Sequence, residues 1–588
     1  MSLTQTPLNL IRVIDPRVDI HETANRDYGI YEGSQEATYK KIVSSSYSDT
    51  QFSLSCNPPS DRIFVDRRVY IECKFQIDFT GTTVNNNQTL LQCAGLQTST
   101  TPPSVNNAFY DAPRANPLAQ ATASAQVSLN NTQISSNVNT YFRALTRYQN
   151  DVENQNLFSS ATPTMLDMSQ EYADLDGFAL SPLRGYGDNV AQCPRGGFVG
   201  CRVLTNTSSN PAGANTASVE LTVIEPFVLS PFLMDKDVSG LGWIQLQTID
   251  LLFQLNGRGN GPLGGLAGAL WSHATGANVP TLTSATAHLL GAAAYFRYFT
   301  PNAGQLIPRS VFYNYAEPSL FPTTYNGIAV APAASVSLEM NSISLKAVPN
   351  LMYVWVSERD ADVGISTTDT YFSIENINVT FNNRDGILAN ASPIDLHQMA
   401  VRNGCNLSYR QFRQDVGSVL CIKFGDDIAL SPLQSAGLRG NFNLSMRVTA
   451  TNRNMSRSII PTLNVLTSME GVIEITDNSV SRSTGVLSEQ NVLDAKSMDP
   501  VQAQLSKSVW GGSFWSKVGN FFKKAVRTGL DVGKQIVPIL APQYSGAVGV
   551  ADSVARAVGV GKPSRRTRGK VRGGELITRS EMRDLAAY

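Results

Sequence analysis

Asp426 and Asp427, in FGDDIAL (424–430), are the side chains here whose type and spacing most suggest chemistry. Two adjacent carboxylates between apolar runs suit a hairpin that holds divalent ions, as in polymerases. Such a centre needs a further carboxylate motif to complete it. Glu358, Asp360 and Asp362 follow an apolar run, but their every-other-residue spacing is not the one that chemistry uses. Gly-Asp-Asp between two strands is equally an ordinary tight turn, which is the expectation adopted here.

GNGPLG (259–264) has the letters of a dinucleotide-binding turn, G-x-G-x-x-G, after a strand pattern. Pro262 lies inside it, and the next acidic residue is Glu317, too distant to hold a ribose. A glycine-rich loop is the expectation. No GxSxG, HExxH or GxxxxGK[ST] occurs. The four histidines (His21, His273, His288, His397) are not paired at metal-ligand spacing, and His397 reads as structural. The seven cysteines are scattered without a CxxC, and Cys73 and Cys421 sit in apolar strand patterns as buried thiols. No catalytic residue, cofactor or metal ligand is assigned, so the chain is not expected to be an enzyme.

The elements that would position these residues are strands. VYIECKFQIDFT (69–80) sets Val69, Ile71, Cys73, Phe75, Ile77 and Phe79 on one face. Ile377, Val379 and Phe381 alternate with Asn378 and Thr380, and Phe442, Leu444, Met446 and Val448 with Asn443, Ser445 and Arg447. Further strands are expected at 218–229, 246–255, 335–348 and 469–476, with a short helix within 137–150. Residues 81–135, rich in Asn, Thr, Ser, Ala and Pro, read as a long excursion from the sheet, and 256–335 as a second loop region. Two blocks of strands flank the glycine-rich 256–269, which suits two sandwich domains.

Apolar residues make up 42% and charged residues 16%, a balance suited to folding rather than disorder. The net charge of zero conceals a division. Residues 501–588 carry 15 Lys and Arg against 5 Asp and Glu, leaving 32 against 42 in residues 1–500. A basic tail on an acidic body suits contact with nucleic acid or a membrane surface. In 513–537 apolar residues recur at helical spacing among lysines. Phe514, Trp515, Phe521 and Phe522 are candidates for membrane insertion. Arg565, Arg566, Arg568, Lys570 and Arg572, in a basic run expected to be disordered, are candidates for phosphate contact. Gly-Gly pairs at 511–512 and 573–574 bracket this piece. The start of the chain lacks a signal-peptide pattern, and no apolar run reaches ~18 residues.

Three stretches carry a resemblance: YKKIVSSSYSDTQFSLSCNPPSDRIFVDRRVYIE (39–72), EPFVLSPFL (225–233) and GSVLCIKFGDDIALSPLQSAGLRGNFNLSMRVTATN (417–452). They resemble the major capsid proteins of Polinton-like viruses, adintoviruses and virophages. The likeness spans roughly residues 40–480 as scattered short motifs. It implies an all-β chain with two jelly-roll sandwiches in tandem, followed by a helical and disordered basic tail. The expected bounds are an arm at 1–40, jelly rolls at 41–262 and 263–480, a linker at 481–512 and the tail at 513–588.

The function so implied is that of a virion protein, made in host cytoplasm. It self-assembles as homotrimers with a hexagonal outline into an icosahedral shell around DNA. Implied partners are other copies, a minor capsid or penton protein, viral DNA, an internal membrane and a maturation protease. The tail is similar to the membrane-lytic and DNA-condensing peptides of adenovirus-like particles, whose protease cuts at Gly-containing sites. Carried over, the cuts fall at Gly512–Ser513 and Gly574–Glu575, although Val509 and Val571 stand where that protease prefers Met, Ile or Leu. The alternatives are a minor capsid or penton protein, with about eight strands instead of about sixteen, and a viral enzyme centred on Asp426 and Asp427.

Overall fold

The computed structural model describes residues 36–91, 111–149, 200–232, 242–273, 279–301 and 310–488, less isolated positions and short gaps within these spans, together with Val492. Two β-sandwiches follow one another in these residues, and both are built the same way. Eight principal strands of the first are Glu36–Val43, Gln51–Cys56, Tyr70–Thr82, Thr122–Leu129, Thr132–Ser136, Ala214–Pro226, Ile249–Leu255 and Thr281–Thr300. One sheet runs in the order first, eighth, third, sixth, and the facing sheet second, seventh, fourth, fifth.

The second sandwich repeats that order. Its strands are Ser310–Thr324, Ser335–Ala347, Leu351–Glu358, Ser373–Phe381, Arg384–Ile387, Val419–Lys423, Arg439–Thr451 and Pro461–Thr476. Again the first pairs the eighth, the eighth the third and the third the sixth, while the second, seventh, fourth and fifth line up opposite. All these ladders are antiparallel. Short extra strands, Gly200–Asn206 in the first sandwich and Ser479–Thr484 in the second, extend the sheets. This double winding is the jelly roll, present twice, with a total of sixteen principal strands.

Period-two alternation explains why these segments are strands. Ile71, Cys73, Phe75, Ile77 and Phe79 are all buried while their neighbours are partly exposed. Ile377, Val379 and Phe381 lie beside Leu444, Met446 and Val448 of the neighbouring strand and bury the same face of one sheet, with Phe381 and Phe442 stacked at 5.9 Å between ring centroids. Burying such an apolar side chain contributes roughly 1.5–3 kcal/mol. The helix expected within 137–150 forms at Val138–Gln149, and packs Tyr141 and Ala144 against Trp355, Tyr371, Val419 and Leu466 of the second sandwich.

Three expectations are corrected. Thr281–Thr300 belongs to the first sandwich, where it pairs with Glu36–Val43 and Tyr70–Thr82, so a boundary at 262 would remove that sandwich's eighth strand. Two register shifts, at Leu282/Ser284 and Leu289/Gly291, break the alternation that would have marked it. The excursion 81–135 supplies Thr122–Leu129 and Thr132–Ser136, joined through Asn130 and Asn131 at φ 43° and 70°, the backbone of a tight hairpin. The loop region 256–335 likewise holds strands Thr281–Thr300 and Ser310–Thr324.

Candidate functional site

The Asp426–Asp427 turn is a structural clasp. Asp427 Oδ2 accepts from the backbone N–H of Lys423 at 2.9 Å and from Asn403 Nδ2 at 2.7 Å, and its side chain is 5% exposed. Asp426 points outward and pairs with Lys423 at 2.5 Å. Gly425, at φ 93°, closes the turn by donating to Ile428 at 2.8 Å. The Glu358, Asp360 and Asp362 carboxylates do not converge with it, since each engages a different arginine: Arg457, Arg258 and Arg359 respectively. Among the described residues no group of three His, Cys, Asp or Glu side chains is placed to hold a metal ion. His397 Nε2 donates to Leu407 O (2.9 Å), and the ring packs against Tyr409 and Phe412. Cys73 and Cys421 are buried, and burial pushes the Cys421 thiol up to about 12.

What the fold does gather is a buried polar lattice where the two sandwiches meet. Arg114, fully buried, donates through Nε to Gly268 O at 2.7 Å and Trp271 O at 3.2 Å. Its Nη2 donates to Gly364 O and Thr367 O, both at 2.6 Å, on the second sandwich. Arg258 reaches from Gln120 Oε1 (2.8 Å) to Asp360 Oδ1 (3.2 Å) and so crosses the same joint. His273 and Trp271 both hydrogen-bond Asp111 Oδ1, at 2.8 and 3.0 Å. Glu225 receives the N–H groups of Leu118 and Ala119 at 2.9 and 2.8 Å, and burial raises its carboxyl to about 7 against those two bonds.

The glycine-rich segment explains itself here. A Cβ on Gly257 would lie 1.6 Å from Gly265 C, and one on Gly259, at φ 75°, would lie 2.5 Å from Val363 O. Gly259 N–H donates to Asp360 O at 2.9 Å. These glycines admit backbone against backbone at the joint, so the segment is a packed seam and not an open loop.

Around this seam the cores merge. Trp243 and Tyr313, from the two sandwiches, lie 4.5 Å apart between ring centroids. The Tyr313 hydroxyl donates to Gly242 O at 2.8 Å and accepts from Ile244 N–H at 3.2 Å. The Arg67 guanidinium lies 5.6 and 5.4 Å from those two rings. Such an arrangement holds two sandwiches as one body. The tail residues singled out above (Gly512, Ser513, Phe514, Trp515, Phe521, Phe522, Arg565, Arg566, Arg568, Lys570, Arg572, Gly574, Glu575) lie outside the described residues. Sequence reasoning missed Arg114 and Arg258. Their one signal is an isolated arginine in a small-residue setting, APRANP and NGRGNG.

The family model described as Sputnik virophage major capsid protein 1st domain matches residues 8–265. That of the major capsid protein V20 C-terminal domain matches residues 319–416 and 414–471. Capsid protein V20 of the Sputnik virophage is 27% identical over 622 residues, covering 99% of this chain and 99% of the relative. A chain of the Sputnik virophage solved by cryo-EM at 3.5 Å superposes with a TM-score of 0.72 at 27% identity, covering 87% of this chain and 100% of that one. The mavirus major capsid protein shares the fold, with a TM-score of 0.63 at 12% identity over 83% of this chain and 99% of that one.

Proposed function

The chain belongs to the double jelly-roll major capsid proteins of the virophage type, and from that premise we propose that it assembles as a homotrimer with a near-sixfold outline, which then tiles an icosahedral shell. The observation that carries this reading is the repeated strand order. Two sandwiches of one topology in one chain give a trimer six comparable lobes, and six lobes around a threefold axis pack as a hexagon does. The welded seam supports it, because lobes that hinged freely would not hold the spacing a lattice needs.

The finer expectations rest on sequence. The basic tail faces inward, toward DNA or an internal membrane, with Phe514, Trp515, Phe521 and Phe522 entering lipid or Arg565, Arg566, Arg568, Lys570 and Arg572 meeting phosphates. A maturation protease separates it at Gly512–Ser513 and Gly574–Glu575. The shell includes a minor capsid or penton protein at its vertices, and the chain is made in host cytoplasm before it enters the virion. On this reading it has no catalytic role, in keeping with Asp427 spending its lone pairs on Asn403 and Lys423.

The test is direct. Purified chain imaged by electron microscopy is expected as trimers with a hexagonal outline; monomers would overturn the assembly reading. Mass spectrometry of particles is expected to find a new terminus at Ser513. Asp426→Ala with Asp427→Ala is expected to leave any catalytic assay of the particle unchanged.

A further inference from the structure

Among the described residues each sandwich leaves its first strand at a sheet edge, paired on one side: Glu36–Val43 against Thr281–Thr300, and Ser310–Thr324 against Pro461–Thr476. In such a strand every second N–H points away from the sheet and is free to pair with another chain. The two edges treat those outward groups in opposite ways.

In the second sandwich Tyr325 donates inward to Pro461 O at 3.1 Å, in register with the ladder, so even-numbered amides of Ser310–Thr324 face out. Ala316 N–H is taken by Ser230 Oγ at 2.8 Å. Positions 318 and 322 are prolines, which have no N–H to offer. That edge is interrupted at these three positions.

In the first sandwich Ser44 donates inward to Ala292 O at 2.8 Å, so the odd-numbered amides of Ala37, Tyr39, Lys41 and Val43 face out. Among the described residues none of these four amides has a hydrogen-bond acceptor. No proline interrupts the strand, and two of its apolar side chains are exposed, Tyr39 by 74% with the Arg297 guanidinium 5.1 Å from its ring and Val43 by 66%. Lys41 is held by Glu72 at 2.8 Å, and Lys40 is an exposed charge in the middle of this edge.

We propose that this edge is completed by an added strand from the chain's own amino-terminal arm, supplied by residues 17–23. That segment reads RVDIHET, so Val18 and Ile20 share one face while Asp19 lies on the other. Laid on the edge with Asp19 opposite Lys40, Val18 and Ile20 come opposite positions 39 and 41, on the face that carries Tyr39 and Val43. Residues 24–35 intervene and span roughly 40 Å when extended, enough to return along a strand of eight residues. The same edge of a second copy is the poorer occupant, because a twofold pairing would set Lys40 and Lys41 against their own images.

Hydrogen exchange followed by mass spectrometry on the full chain tests this, read in the peptide spanning 37–44. With the arm in place all eight of its amides are expected to exchange slowly. In the Val18→Pro, Ile20→Pro double variant the four outward amides are expected to exchange at least tenfold faster, while the four inward ones stay slow and report an intact sheet. Fast outward amides in the unaltered chain would overturn the proposal, as would outward amides that stay slow in the variant, which would mean a different strand covers the edge.

Discussion

His273 Nδ1 lies 2.8 Å from Asp111 Oδ1 at a position where both side chains are buried, and its other ring nitrogen lies 2.8 Å from the carbonyl of Pro280. Both neighbours only accept, so both ring nitrogens must donate and the ring carries charge. Burial opposes that charge, yet the Asp111 carboxylate and the Pro280 carbonyl outweigh it and raise the pKa above 6.5. A base whose folded pKa is raised contributes stability that is complete below its unfolded value of ~6.5 and is lost as pH rises through the folded value. Thermal unfolding is therefore expected to shift down as pH rises above about 6.5. Asp111→Asn should cost about 3 kcal/mol at pH 6, because it strands a buried charge, and should abolish the pH dependence that His273 supplies. A variant that keeps the slope would assign it to another group.

Glu470 gives a second, separable slope. Burial raises its carboxyl to about 7 against the Asn350 hydrogen bond and the nearby Lys423, and its buried Oε2 has no hydrogen-bond partner among the described residues. An acid with a raised folded pKa binds a proton on folding between ~4.5 and 7, so its contribution is complete below ~4.5 and lost as pH rises through 7. Glu470→Gln keeps the acceptor for Asn350 and removes the charge. Stability at pH 8 is expected to rise by about 1–2 kcal/mol and at pH 4.5 to change little, measured by denaturant unfolding at the two pH values.

How much of this was legible follows from what each element asks of its residues. Strands buried on one face, such as Tyr70–Thr82 and Arg439–Thr451, need strict alternation, and that is written plainly in the chain. Thr281–Thr300 was not legible as a strand because its two bulges shift the phase, and Thr122–Leu129 because its buried positions are filled partly by alanine and threonine. The seam was invisible for another reason: Arg114, Arg258 and Asp360 are brought together by tertiary folding from positions as many as 246 apart, and no local pattern encodes that.

The glycines of the seam separate packing from mere flexibility. At Gly261, φ is 77° and a Cβ would meet nothing within 4 Å, so Gly261→Ala is expected to cost only about 1 kcal/mol of backbone strain. At Gly257 a Cβ would fall inside the backbone of Gly265. Gly257→Ala is expected to prevent a stable fold or to lower the melting temperature by well over 10 °C, since overpacking against backbone has no cheap relief. Equal, small effects at both positions would mean that the segment is loose.

Arg114 is the most demanding single test of the seam, because one guanidinium bridges carbonyls on both sandwiches. Hydrogen bonds from a charged donor contribute roughly 1.5–3 kcal/mol each when buried, and their effects are not additive. Arg114→Met is accordingly expected to lower unfolding free energy by about 3 kcal/mol or more. Arg114→Lys should recover less than half of that, since an ammonium is a point donor and cannot span two pairs of carbonyls as the planar fork does. The loss should appear first at the joint. Gly364 and Thr367 follow Arg359 closely, so limited trypsin digestion with mass spectrometry is expected to show faster cleavage after Arg359 in both variants. Arg447→Met supplies the control, because Arg447 and Glu339 form an exposed pair at 3.0 Å and its loss should stay within ~0.5 kcal/mol without new cleavage. If Arg114→Met behaved like Arg447→Met, the seam would be held by its apolar core and its other polar links, without Arg114.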